Sequence, residues 1–103
     1  MQPRIVVVGS LNMDMSLGVT RLPRQGETTT ALSARFSPGG KGANQALAAG
    51  QLGARVSMVG RVGADAQGDE LVRNLREAGV SVDWIAREAE STTGMAFIVV
   101  DEA

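Results

Sequence analysis

Apolar and polar residues follow three rhythms along this chain. Residues 5–8 are an unbroken β-branched run, Ile-Val-Val-Val, closed by Gly9. Such a run reads as a strand covered on both faces, as in a parallel sheet. Met13, Met15, Leu17 and Val19 instead alternate with Asp14, Ser16 and Gly18. That period of two predicts a strand with one apolar and one polar face. Leu32, Ala34 and Phe36 resume the alternation after a turn-like Pro23-Arg24-Gln25-Gly26. From about residue 42 to 52 the rhythm becomes helical, with Ala43, Ala46, Leu47 and Gly50 on one side. These residues are mostly small, so the helix can lie close to a sheet, and Gly53 ends it. Residues 56–59 read as a second apolar strand. Asp65 and Gly68 open a second helix, whose apolar positions are Leu71, Val72, Leu75 and Ala78, with Gly79 at its end. Residues 80–85 and 95–100 are further strand-like runs.

The order strand, helix, strand, helix, strand is that of a doubly wound α/β sheet. About thirty residues between the first strand and the first helix break it, and they read as a β-excursion from the α/β body. The run 95–100 suits a strand in either part. It leads into turn-like Asp101-Glu102-Ala103, the pattern of an interrupted hairpin, so the chain is expected to be the N-terminal part of a longer protein. The expected division is an α/β core of residues 1–11 and 39–91 and a β-sheet lid of residues 12–38 and 92–103.

Composition narrows the chemistry. The chain has 103 residues, 44% hydrophobic and 20% charged, with a net charge of −1. This balance points to an ordinary globular fold, with no reason to invoke nucleic acid or a membrane surface. Without cysteine or histidine, thiolate chemistry and the commonest general base are missing. No stretch approaches the length of a membrane span or a signal-peptide core, so a cytoplasmic protein is expected.

The densest candidate site is Ser37-Pro38-Gly39-Gly40-Lys41-Gly42-Ala43-Asn44-Gln45. Glycine permits close backbone approach and positive φ. The helix N-terminus behind it offers unpaired N–H groups and partial positive charge, and Lys41 adds a full one. Together these suit an oxygen-rich or anionic small molecule. A tight loop before a closely packed helix is the competing reading. The segment is not a P-loop, because Gly42 follows Gly40-Lys41 where a Ser or Thr would bind magnesium. Nor is it a dinucleotide fingerprint, since the first strand leads into the excursion. Gly9-Ser10-Leu11-Asn12-Met13-Asp14 follows the carboxyl end of the first strand, where α/β sheets bind ligands. Asn12 and Asp14 offer an amide and a carboxylate for hydroxyl groups. Taken alone, they read rather as a turn former and a solvated strand residue. The segment 60–68 is another loop candidate, in which Asp65 reads as a helix cap. Trp84, Met13, Met15 and Met95 read as packing or interface surface.

Taken together, these segments resemble the PfkB family of carbohydrate kinases. The resemblance rests on residues 9–14, Leu22-Pro23 with Gly26-Glu27-Thr28, residues 39–46, residues 63–68 and Ser91-Thr92-Thr93-Gly94. The double-glycine segment with Lys41, Asn44 and Gln45 is similar to the ribose-phosphorylating members in particular. The resemblance implies a Rossmann-like, ribokinase-like α/β sandwich with a protruding lid. It also implies transfer of the γ-phosphoryl group of ATP to the 5-hydroxyl of D-ribose, with Mg2+ and a monovalent cation such as K+. Asn12, Asp14, Gly39, Gly40, Lys41 and Asn44 would bind the sugar, and lids from two subunits would pair in a homodimer. The catalytic aspartate of the family lies in a Gly-Ala-Gly-Asp segment that this sequence lacks, together with the nucleotide and cation sites. The 103 residues alone are therefore expected to be inactive. Another sugar or nucleoside as acceptor, and a non-catalytic binding or dimerisation module, are the alternatives.

Overall fold

The computed structural model describes residues 2–102. Met1 and Ala103, the outermost residues of the expected core and lid segments, lie outside them. Eight elements follow in order: β1 (Arg4–Val8), β2 (Asn12–Val19), β3 (Ser33–Gly39), α1 (Lys41–Gln51), β4 (Arg55–Gly63), α2 (Ala66–Glu77), β5 (Ser81–Glu88) and β6 (Met95–Asp101). They build two three-stranded sheets. One is parallel, in the order β1-β4-β5, and the other is mixed, in the order β3-β2-β6. In the mixed sheet β2 pairs antiparallel to β3 and parallel to β6.

The parallel sheet is wound in one direction, β1 to β4 to β5. Right-handed crossovers in one direction place their helices on one face. Accordingly, α1 and α2 share a single core with the sheet. Val7, Val56, Met58, Val62, Val80 and Ile85 meet Ala43, Ala46, Leu71, Val72 and Leu75 there. An extra residue in β5, where the register shifts between Ser57 and Val59, lets both Val82 and Ile85 turn inward.

This corrects two expectations. β1 is not covered on both faces: Val7 is buried, while Val6 and Val8 are 65% and 77% exposed on the side without a helix. The run 60–63 is not a loop either. It continues β4, because Gly60 to Gly63 pair with Ile85 to Glu88 of β5. The glycines there interrupt the apolar pattern without interrupting the ladder.

α2 begins as expected. Asp65 is its N-cap and accepts a hydrogen bond from the Gly68 N–H at 2.8 Å. Its carboxyl is held below its ordinary value, first by the Thr93 hydroxyl, then by the Thr93 and Gly68 N–H groups. Gly53 and Gly79, at φ 94° and 83°, close the two helices.

The mixed sheet projects from this body. The radius of gyration is 16.2 Å, against about 13 Å for a compact chain of this length. Met13 and Val19 are its buried anchors, and Met13 joins the common core. Beyond them the apolar face carries Met15, Leu17, Phe36 and Phe97 in register, half-buried or exposed. The connection from β2 to β3 is held by Arg21. Its guanidinium forks onto Glu27 at 2.8 and 2.9 Å, and Glu27 also accepts the Arg24 N–H. These bonds, Arg21 first, keep the Glu27 carboxyl below its ordinary range.

Candidate functional site

Three elements meet beyond the carboxyl end of β1: the start of β2, the end of β3 and the first turn of α1. Asn12 faces Gly39 in the β2–β3 register, and Asp14 faces Ser37. Both lie on the polar face of β2, as the alternation predicts. The Asp14 carboxylate rests against Gly39, where a Cβ would fall 2.5 Å from Oδ2. Any side chain at position 39 would displace it. Lys41 and Asn44 occupy the first turn of α1 and are exposed. Gly40 is the N-cap, with φ 99° and no side-chain cap. The six residues named from the sequence therefore lie on segments that adjoin one another: the start of β2, the end of β3 with Gly40, and the first turn of α1.

The glycines also have a packing role. At φ 99° a residue other than glycine would be strained at position 40. A Cβ there would also fall 2.5 Å from the Ser10 carbonyl oxygen. That oxygen accepts the Ala43 N–H at 3.0 Å, so the β1–β2 turn is tied to α1. A Cβ on Gly42 would fall 2.7 Å from the Cα of Gly9. The helix N-terminus is thus seated directly on the turn that carries Asn12. Close packing by itself thus requires glycine at positions 40 and 42.

Chemically, this corner offers one carboxylate, two amides, one ammonium and a helix start without a side-chain cap. A carboxylate accepts hydrogen bonds, an amide both donates and accepts, and an ammonium donates. That set matches a ligand rich in hydroxyl groups. Neither histidine nor cysteine occurs anywhere in the chain. No grouping of three or more Asp or Glu able to hold a metal ion occurs among the described residues. A neighbouring groove of about 620 Å3 runs from Asn12 and Gly94 along Gly9, Gly60 and Arg61 to Trp84. Asn12 thus lines the open side of the parallel sheet.

Two participants are not evident from periodicity. Gly94 abuts Asn12: a Cβ there would fall 2.8 Å from Asn12 Oδ1, and its carbonyl accepts the Met13 N–H. Thr93 is buried beside it. Their only sequence signal is the Ser-Thr-Thr-Gly segment.

The comparisons with known proteins agree with this architecture. A ribokinase of Bacillus subtilis is 44% identical over 98 residues, 95% of this chain and 33% of that protein. A deoxyribokinase of Salmonella typhi is 36% identical over 97 residues, 94% of this chain and 32% of that protein. The solved ribokinase of Arabidopsis thaliana, complexed with ribose and ATP, superposes with a TM-score of 0.90 at 38% identity. That match covers 98% of this chain and 33% of the Arabidopsis protein. The chain thus spans about a third of the length of the relatives it matches, and its fold is the N-terminal part of the ribokinase fold. The family model described as pfkB family carbohydrate kinase matches residues 2–103. With the two-sheet architecture and the glycine-seated corner, that match shows that the chain belongs to the pfkB family of carbohydrate kinases.

Proposed function

We propose that this chain supplies the sugar-binding half and the lid of an ATP-dependent sugar kinase. Its acceptor is D-ribose, phosphorylated at the 5-hydroxyl. The observation that carries this reading is that the segments bearing Asn12, Asp14, Gly39, Gly40, Lys41 and Asn44 adjoin one another, with Asp14 seated against Gly39. Similarity to ribokinases, one of them solved with ribose and ATP, supports it.

In this reading Asp14 accepts hydrogen bonds from sugar hydroxyls, and its seat against Gly39 fixes its direction. Asn12 and Asn44 each donate and accept. Lys41 donates, and the start of α1 adds partial positive charge. The mixed sheet acts as a lid. By covering the sugar it would exclude water, which limits transfer of the phosphoryl group to water. Its exposed apolar face, with Phe36 and Phe97, would pack against a second lid in a homodimer. Phosphoryl transfer depends on positioning the phosphates and neutralising their charge. The nucleotide, Mg2+, a monovalent cation and the catalytic base would be held by residues outside these 103. A cytoplasmic location is part of the same proposal.

The test has two parts. ADP production by a full-length protein carrying this sequence should depend on ribose far more than on 2-deoxyribose, fructose or adenosine. A clear preference for another acceptor would replace ribose in the reading. The 103-residue chain should give no ribose-dependent ATP turnover in a coupled assay, and turnover would refute the assigned half-site.

A further inference from the structure

Thr93 is the one buried polar or charged residue among those described, at 4% exposed. It sits in the loop between β5 and β6. Its hydroxyl donates to Asp65 Oδ1 at 2.6 Å and accepts the Gly63 N–H at 2.9 Å. Its own N–H donates to Asp65 Oδ2 at 2.8 Å. Asp65 therefore binds three hydrogens: those two and the Gly68 N–H at the start of α2. A cap alone needs one acceptor. Serine or asparagine would satisfy it, but only a carboxylate presents two acceptor oxygens without a donor. The extra capacity goes entirely to Thr93. Gly63 is packed to receive the loop, since a Cβ there would fall 2.5 Å from the Ser91 carbonyl oxygen and 2.6 Å from the Thr93 nitrogen.

The residue after Thr93 is the one that touches the candidate site. The Gly94 carbonyl accepts the Met13 N–H at 2.9 Å, and the Asn12 side chain lies directly over Gly94. A continuous path thus runs from the end of β4 and the cap of α2, through Thr93 and Gly94, to Asn12. β6 starts at the next residue, Met95.

We propose that Asp65 and Thr93 are positioning residues that fix Gly94 beneath Asn12 and so set the direction of the Asn12 amide. Neither touches the sugar. The consequence for ligand binding rests on the sugar-site reading above, while the clamp itself rests on the geometry alone.

The test uses 15N-labelled protein and two variants. Thr93→Val keeps shape but loses both hydroxyl bonds. Asp65→Asn can keep the cap through its remaining oxygen but turns an NH2 group toward the Thr93 N–H. Each should shift the Asn12 side-chain amide resonances and speed exchange of the Met13 amide. Each should also weaken ribose binding about tenfold, the scale of one misdirected hydrogen bond. Thr93→Ser, which retains the hydroxyl, should restore both readouts. Folded variants with unchanged Asn12 and Met13 signals would overturn the clamp. Shifted signals with unchanged ribose affinity would overturn its positioning role. Unfolding of both variants would also overturn that role, in favour of a knot that serves stability only. If the unmodified protein does not bind ribose, the sugar reading fails, and the clamp is then judged on the Asn12 and Met13 signals by themselves.

Discussion

The two sheets of this molecule are built from similar numbers of apolar residues and use them differently. The parallel sheet presses one face against two helices, and Met58, Leu71 and Leu75 are fully enclosed there. The mixed sheet has no helix of its own along its length. It buries Met13 and Val19 at its ends and leaves Phe36, Phe97 and Val99 exposed. One sheet is therefore stabilised from within this chain. The other is anchored at its base and presents a surface. Apolar content alone does not separate a core from an exposed face; the position of the helices does.

The sharpest way to break that comparison is to truncate one residue in each sheet. Leu75→Ala should cost about 2–5 kcal/mol, the range for a fully buried leucine. Leu17→Ala, in the half-buried mixed sheet, should cost clearly less, within about 2 kcal/mol. Urea denaturation followed by circular dichroism reads both, and equal costs would erase the distinction. Next in size is the seam between the two parts. Gly42→Ala places a methyl group against the backbone of Gly9, and overpacking of this kind costs about 1–3 kcal/mol. Amide spectra should show the change spreading through residues 9–12 and the start of α1. A localised change would mean that the β1–β2 turn gives way freely.

Acid should act at the other point where the parts are joined. The folded Asp65 carboxyl sits below its ordinary value of 3.8. Its contribution is therefore complete above that value. It declines as pH falls and is lost once pH passes below the folded value. Asp65→Asn should be less stable at neutral pH and should flatten this acid limb in denaturant melts across that range. An unchanged acid limb would remove Asp65 from the account of how the parts are joined. The smallest stability effect belongs to the exposed apolar surface of the mixed sheet. Phe97→Ser should change unfolding by no more than about 0.5 kcal/mol in dilute solution. The same change should reduce self-association in sedimentation experiments. Unchanged self-association would count against the proposed pairing through this surface.

Much of this architecture is legible in residue order. The alternation at 13–19 identifies the polar face that carries Asp14, and the helical spacing of Leu71, Val72 and Leu75 identifies the buried side of α2. Asp65 reads as a cap from its place before an apolar-periodic segment. Strand limits are less legible. The Gly60 and Gly63 signals suggest a turn, while cross-strand pairing with β5 carries β4 through them. The exposed face of β1 is hidden as well, since coverage depends on crossover direction and not on the four residues of the run. Thr93 is the hardest to anticipate. One of two adjacent threonines in a polar loop carries no periodicity, and its burial follows from a partner 28 residues earlier.

The open side of the parallel sheet has one more consequence. It carries the chain's single tryptophan, Trp84, which is 69% exposed and pairs in register with Val59. Any segment or partner that settles on this side must exclude water from that indole. Its fluorescence should then move to shorter wavelength. The molecule therefore contains its own optical reporter for whether the bare half of the sheet is covered, with no label added.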